Sequence, residues 1–221
     1  ILFALFGFEF PENGVGWAML AVGSLWTLAF IPYFRALHIE EPSRVILFLQ
    51  FLSVFSFMFG YLILGETLNA NQTIAFAVLL GGGVLAGIKQ LKGAWRFSHA
   101  AFGLMAVASF FWAFADVMFK GLSLEFDAFI PSFTLFFLGS FLPGPLLLLV
   151  PTMRKKVSRF FREKLPMRAW GLIALTLITG NIGSITFAYA LILGKVSLTS
   201  VLSDLQPLFV FSLTLALAPI F

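Results

Sequence analysis

The 221-residue chain contains no cysteine, and only 11% of its residues are charged, whereas 60% are hydrophobic. The absence of cysteine excludes a disulfide framework, a thiolate zinc site and a cysteine nucleophile. The scarcity of charge excludes a soluble globular domain, in which about 25% of residues are charged. Histidine is also scarce, because only His38 and His99 occur, in separate polar connectors. An intramembrane enzyme, which needs a nucleophile with a base or a set of metal ligands, is therefore not expected, and no cofactor or metal is predicted.

The apolar residues fall in blocks about as long as the 20 residues that cross a bilayer core. After an apolar stretch at its start, the chain is predicted to contain six complete spans and a seventh cut short, at 16–37, 45–65, 73–88, 100–119, 128–150, 169–193 and 197–221. The predicted class is an all-α, multi-pass membrane bundle, which we expect in the plasma (inner) membrane. Because apolar runs occupy both ends, we expect the sequence to be a fragment of a longer protein.

The connectors between these spans differ in charge. All of the 14 Lys and Arg except Lys120 and Lys195 lie at or near connectors of one side, including the linker 89–99 and the polar stretch 151–168. Lys and Arg near span ends favour the cytoplasmic side, where we place these connectors. The basic run in 151–168 has two readings, a patch for anionic lipid or nucleic acid and a topology anchor. We favour the anchor and expect no nucleic-acid partner.

The chain contains an internal repeat at an offset of 154 residues without a gap. The register pairs Ala36 with Ala190, Leu37 with Leu191, Ser43 with Ser197, Phe55 with Phe209, Phe57 with Phe211, and Gln50 with Asp204. An odd number of predicted spans separates the two copies, so the second copy should be inverted in the membrane. Inverted repeats are typical of secondary transporters.

Short motifs at the same positions resemble the drug/metabolite transporter superfamily, in its EamA-like group. They are Ala36-Leu37, then Leu64-Gly65-Glu66 and Gln72 before a glycine-rich helix, and Pro207 with Phe209 in the second copy, while Ser53 stands where the family often has proline. The resemblance implies two inverted five-helix repeats, with about ten spans in the full-length protein. Residues 1–89 would be the remainder of the first repeat, from the end of helix 2 to helix 5. Residues 90–98 would form a cytoplasmic linker, and 99–221 the truncated second repeat, helices 6 to 9.

The resemblance also implies a function. It predicts a secondary transporter that exports a small organic metabolite, such as an amino acid, by alternating access. Its partners would be membrane lipid and the solute, with protons as one candidate energy source and passive facilitation as the alternative. The competing readings are a lipid translocator and an integral membrane scaffold without transport. Small-residue spacing at Gly81–Gly87 is read either as a homodimer seam or, as we favour, as packing between the halves.

Asp204 is the strongest candidate for a functional residue. A charged side chain within the hydrocarbon layer costs about 2.5–3.5 kcal/mol on insertion scales, so its presence points to a function. Gln206 and Pro207 follow it, and proline frees a backbone carbonyl in the preceding turn. We predict that Asp204 binds substrate or a coupling proton rather than only packing, and that Gln50, its repeat partner, faces the same cavity.

Two further polar residues lie in predicted spans. Asp116 precedes Lys120 by one helical turn, so the two form either a self-neutralising ion pair or, with nearby Trp112, part of a cavity. Asn181 lies near the centre of its span, where an amide must find a hydrogen-bond partner. We favour packing as the role of Asn181.

The last candidates are aromatic and motif residues. Trp26 and Trp112 lie deep enough to bind an apolar or cationic solute, although membrane proteins also use tryptophan at the membrane interface. Gly65, Glu66 and Pro207 are predicted to be structural motif residues. Glu66 stands at a helix end, where its carboxylate could reach water or cap the next helix.

Overall fold

A computed structural model describes residues 14–42, 45, 48–90, 98–162 and 166–206, and these are helical with short turns and no strand. We number the helices α1 (Val15–Leu28), α2 (Phe30–Ile39), α3 (Gln50–Leu64), α4 (Ala70–Gln90), α5 (His99–Ser123), α6 (Phe129–Phe141), α7 (Pro143–Leu147), α8 (Pro151–Arg162), α9 (Met167–Leu193) and α10 (Val196–Ser203). Four helical segments are long and apolar enough to cross a membrane: Val15–Ile39, His99–Ser123, Phe129–Leu147 and Met167–Leu193. The all-α prediction is confirmed for the described residues.

The predicted spans and the observed helices differ in three places. The first span bends at Ala29 between α1 and α2, because Pro32 has no N–H to donate to the carbonyl one turn earlier. The fifth span is interrupted at Leu142, before Pro143. The basic stretch interpreted as a connector contains a further helix, α8. Of the seventh span, the part from Pro207 onwards lies outside the described residues.

Helices α1 and α6 cross at a contact between their backbones. A Cβ atom added at Gly139 would overlap the backbone of Leu20, and one added at Gly23 would overlap the backbone of α6. Ser24 Oγ donates to the Gly139 carbonyl oxygen at 2.8 Å across the same crossing. Among the described residues this crossing is a close small-residue contact, whereas Cβ atoms at Gly81 and Gly82 would meet nothing within 4 Å.

Helix α5 is the central element of the bundle. Ser98 caps its first turn, since the Ser98 hydroxyl accepts the Ala101 N–H at 3.3 Å. Helix α3 packs beside α5 in parallel orientation, because ring pairs join Phe51 to Phe102 at 5.1 Å and Phe59 to Phe114 at 5.6 Å. Edge-to-face phenylalanine pairs thus fix the register of these two helices.

Two helix ends, 154 residues apart, have the same local structure. Glu40 follows the last residue of α2 and Gly194 follows the last residue of α9, and both of these cap residues are extended. The Glu40 N–H bonds to the Ala36 carbonyl oxygen at 2.9 Å, and the Gly194 N–H bonds to that of Ala190 at 2.8 Å. After each of these two cap residues the chain turns towards another helix. The repeat register therefore pairs equivalent structural positions at this turn.

These two turns lie at opposite ends of α5. The Glu40 carboxylate accepts the Ser98 N–H at 3.1 Å, whereas the Gly194 carbonyl oxygen accepts from the Lys120 ammonium. Ser98 and Lys120 are 22 residues apart, which corresponds to about 33 Å along a helix. The separation is close to the thickness of a bilayer core.

The α1–α6 crossing makes a prediction about stability. Gly139→Ala places a methyl group against the backbone of α1, so we expect it to lower the free energy of unfolding by about 1–3 kcal/mol. Thermal unfolding of the purified full-length protein in detergent measures the change. Gly171→Ala in α9 is the matched control, since a Cβ there meets nothing within 4 Å. Equal unfolding temperatures for the two variants would contradict the close crossing.

Candidate functional site

Polar side chains line the contact between α3 and α10: three hydroxyl groups, one amide and one carboxylate. We call this set the polar seam, and it consists of Gln50, Ser53, Ser56, Ser200 and Asp204. Ser53 Oγ donates to Asp204 Oδ2, and Ser200 Oγ donates to Ser56 Oγ at 3.0 Å. The order of these pairs makes α10 antiparallel to α3. The three serines are fully buried, and Asp204 is partly buried. The predicted functional carboxylate therefore has a polar partner on the opposite helix.

Asp204 is the cap residue that follows the C-terminal end of α10. Asp204 lies eight residues after Val196, the first residue of the helix, which is about 12 Å along the axis. A bilayer core is about 30 Å thick. A helix that entered the membrane at Val196 would place this carboxylate near half-depth, the region in which transporters bind their solutes.

Gln50 extends the polar seam by one turn of α3. Its Oε1 atom is buried and has no hydrogen-bond partner among the described residues. An unpaired buried acceptor costs about 1–3 kcal/mol, so a group of this kind points to a function. The structure places Gln50 on the same face of α3 as Ser53, as the spacing of three residues requires. An acceptor is thus available one turn of α3 before Ser53, the residue that donates to Asp204.

Asp116 does not form the local ion pair that its spacing suggested. Lys120 Nζ lies 2.6 Å from Glu66 Oε1 instead, and its ammonium also donates to the Gly194 carbonyl oxygen. Asp116 is only 4% exposed, and no described residue donates a hydrogen bond to its carboxylate. Ser109 lies two turns earlier on the same face of α5, and its hydroxyl is buried without a partner among the described residues. A cavity role for Asp116 stays a prediction.

Glu66 is the centre of a second polar cluster, the latch, formed by Glu66, Thr67, Gln72, Lys120 and residues 194–196. Its Oε1 atom pairs with Lys120, and its Oε2 atom accepts the Val196 N–H at 2.9 Å. The carboxylate therefore caps α10, far along the chain, and not the next helix as expected. Asn69 and Gln72 cap α4 by exchanging side-chain and backbone hydrogen bonds of 2.9 and 3.1 Å.

The second half of the latch mirrors the first. The Lys195 ammonium donates to Gln72 Oε1 at 2.7 Å and to the Thr67 carbonyl oxygen. Each loop thus sends one charged side chain to the backbone of the other. The side chains of Glu66 and Lys120 are only 11% and 14% exposed, so the ion pair is shielded from water.

The Leu-Gly-Glu motif explains how Glu66 reaches this position. Gly65 ends α3 in the left-handed region, with φ 64°, which favours glycine. The Glu66 N–H then bonds back to the Gly60 carbonyl oxygen at 3.0 Å. A Cβ at Gly60 would lie 3.2 Å from Glu66 Oε2, so glycine there leaves room for the folded-back carboxylate.

The remaining candidates lie apart from the polar seam. The Trp112 indole N–H donates to the Trp26 carbonyl oxygen at 3.0 Å, and the Trp112 ring packs against Phe30 at 5.1 Å. The two tryptophans therefore join α1 and α2 to α5. Asn181 is exposed and donates to the Leu177 carbonyl oxygen of its own helix at 2.7 Å. Gln206 is exposed.

Sequence reasoning overlooked the serines of the polar seam and the pairing of both lysines. Placing a serine in a membrane helix costs little free energy, so a serine in an apolar run does not by itself indicate a function. The available signal was spacing: Ser53 and Ser56 are three residues apart and Ser200 and Asp204 are four apart, so each pair shares a helix face.

Comparison of the chain with models of known protein families, with curated proteins and with solved structures finds no match. The resemblance to the EamA-like group therefore rests on the short motifs and stays a prediction. The polar seam and the latch are defined by the contacts between their own residues and do not depend on this resemblance.

The latch makes a prediction about stability. Lys120→Met leaves the buried Glu66 carboxylate without its cation, and we expect a loss of about 3–5 kcal/mol in the free energy of unfolding. Glu66→Gln combined with Lys120→Met should recover part of this loss, because a neutral amide needs no counter-ion. Unfolding of the full-length protein in detergent and a double-mutant cycle measure the coupling.

The control for this cycle is Asp116→Asn combined with Lys120→Met. Since Lys120 contacts Glu66, the coupling energy between Lys120 and Asp116 should be the smaller of the two. A larger coupling to Asp116 would contradict the observed pairing.

Proposed function

We propose that this protein is a secondary transporter of the EamA-like kind, which exports a small organic solute across the plasma membrane by alternating access. The observation that carries the proposal is the polar seam. It brings a carboxylate to the contact between two antiparallel helices, one turn of α3 from an amide oxygen that has no partner among the described residues, and a helix entering the membrane at Val196 would hold the carboxylate near half-depth. Polar groups at this depth are expensive, and they mark solute or ion pathways in membrane proteins.

The positions of the repeated turns support two inverted halves. The turns at Glu40 and Gly194 correspond at the 154-residue offset and lie at opposite ends of α5. The helices that follow them, α3 and α10, run antiparallel. Equivalent segments related in this way are what an inverted repeat requires, and the interface between such repeats is where transporters bind their solutes.

The latch supports a mechanism in which access alternates. It joins the loop that follows α3, in the first half, to Lys120 and the turn before α10, in the second half. The latch therefore closes one end of the polar seam. Opening this end would require Glu66 to separate from both of its partners, Lys120 and the Val196 N–H.

The chemistry of the polar seam favours a solute with an ammonium group. Asp204 offers a carboxylate, Gln50 offers an amide oxygen, and the serine hydroxyls can accept as well as donate. A primary ammonium group carries three donors and one positive charge, which matches these acceptors. Amino acids and cationic amines are thus the first solutes to test. The same carboxylate could exchange a coupling proton with water.

Transport by the full-length protein in proteoliposomes tests the proposal. We expect uptake of at least one amino acid or cationic amine, increased by a pH gradient. Asp204→Asn should reduce the driven uptake about tenfold or more, because a hydrogen bond to a charged group contributes about 1.5–3 kcal/mol. Asp127→Asn, at an exposed carboxylate outside the helices, is the matched control and should leave uptake unchanged.

Two outcomes would change the proposal. Uptake that ignores both the gradient and Asp204→Asn would indicate a facilitator in which Asp204 is structural. Absence of uptake for every solute, with correctly folded protein, would contradict transport and favour a lipid translocator or a scaffold.

A further inference from the structure

Helix α8 has two chemically different faces. Met153, Val157 and Phe160 follow the spacing i, i+4, i+7, so they form one apolar stripe. Arg154, Lys155, Lys156 and Arg159 flank the stripe or lie opposite to it, and α8 contains no acidic residue. A basic amphipathic helix of this kind is typical of segments that lie in a membrane surface.

The apolar stripe is exposed. The side chains of Met153, Val157 and Phe160 are 41%, 39% and 43% exposed, and every residue from 151 to 160 is exposed. The rest of the described bundle therefore does not bury α8. An isolated helix of 12 residues is only marginally stable in water. Some surface outside the described bundle must cover the stripe for this helix to persist.

The position of α8 in the chain identifies this surface. It follows the membrane-length segment Phe129–Leu147 and precedes Met167–Leu193, so its two ends return to the same face of the membrane. Its 12 residues extend about 18 Å, which is too short to cross a bilayer core. Both ends therefore hold α8 beside lipid headgroups.

We propose that α8 is an interfacial helix that binds anionic phospholipids. Met153, Val157 and Phe160 insert between the acyl chains, while Arg154, Lys155, Lys156 and Arg159 contact the negatively charged headgroups. Anionic lipid is the partner that meets both faces, because a nucleic acid would neutralise the cations but leave the apolar stripe in water. The inference depends on the membrane placement of the adjoining helices and not on transport.

The absence of cysteine makes a direct test possible. Full-length protein with Val157→Cys, and separately with Ser158→Cys, is spin-labelled and reconstituted in vesicles of phosphatidylcholine with phosphatidylglycerol. The position-157 label should be reached several-fold better by oxygen than by a water-soluble nickel reagent, and the position-158 label should show the reverse. Aqueous behaviour at both positions would overturn the proposal.

The charge dependence is tested with a fourfold variant, R154Q/K155Q/K156Q/R159Q. In the wild-type background, burial of the position-157 label should increase when phosphatidylglycerol is added to phosphatidylcholine vesicles, and the fourfold variant should lose this increase. The charge-conserving variant R154K/K155R/K156R/R159K is the matched control and should retain it. Equal burial in both lipids for wild type would overturn the role of the cations, and burial only on addition of a DNA duplex would replace lipid by nucleic acid as the partner.

Discussion

The carboxylate of Glu66 makes the contacts on which the arrangement of α3, α5 and α10 depends. It accepts from an ammonium group on α5 and from the first N–H of α10, while its own backbone closes the end of α3. Three segments far apart in sequence are thus tied to one side chain. A buried carboxylate is expensive unless its charge is paired and its oxygens accept hydrogen bonds, and here both oxygens have a donor. Glu66 follows the end of α3, and its carboxylate binds the first N–H of α10. Pairing of this one charge therefore holds α10 against α3.

The bundle combines two kinds of helix contact. Helices α1 and α6 meet backbone to backbone at Gly23 and Gly139, and the aromatic rings around Trp112 join α1 and α2 to α5. These contacts are close-packed, and a close-packed interior tolerates little change in side-chain volume. Each contact therefore has a single geometry. The contact between α3 and α10 instead consists of small side chains joined by hydroxyl hydrogen bonds. Hydroxyl groups can exchange one partner for another, so this interface is the better suited to rearrange.

The helices could be predicted largely from the length of the apolar runs, and the bend beside Pro32 follows from the missing N–H. Helix α8 was missed because average hydropathy hides a stripe of only three exposed apolar residues; their periodicity was the informative signal. Asp204 could be proposed from the cost of a charged group in hydrocarbon, and Gln50 from its pairing with Asp204 in the repeat register. The local pair of Asp116 with Lys120, one of the two readings of their spacing, is wrong because the i, i+4 rule considers a single helix, whereas Glu66 reaches Lys120 from another segment through the turn at Gly65.

The contrast between the latch and the polar seam connects the fold to the proposed function. In the latch, each charged side chain bonds to the backbone of the opposite loop, and backbone groups at a helix start or end have fixed positions. In the polar seam, side chains bond only to side chains, and the Gln50 oxygen has no partner among the described residues. A solute that supplies donors to Gln50 and Asp204 would compete with Ser53 for the same carboxylate. Binding would therefore act on the hydrogen bonds that join α3 to α10, about 12 Å along α10 from the start of the helix that Glu66 caps. This arrangement gives a physical route by which occupancy near the middle of the membrane could alter the stability of the closed end.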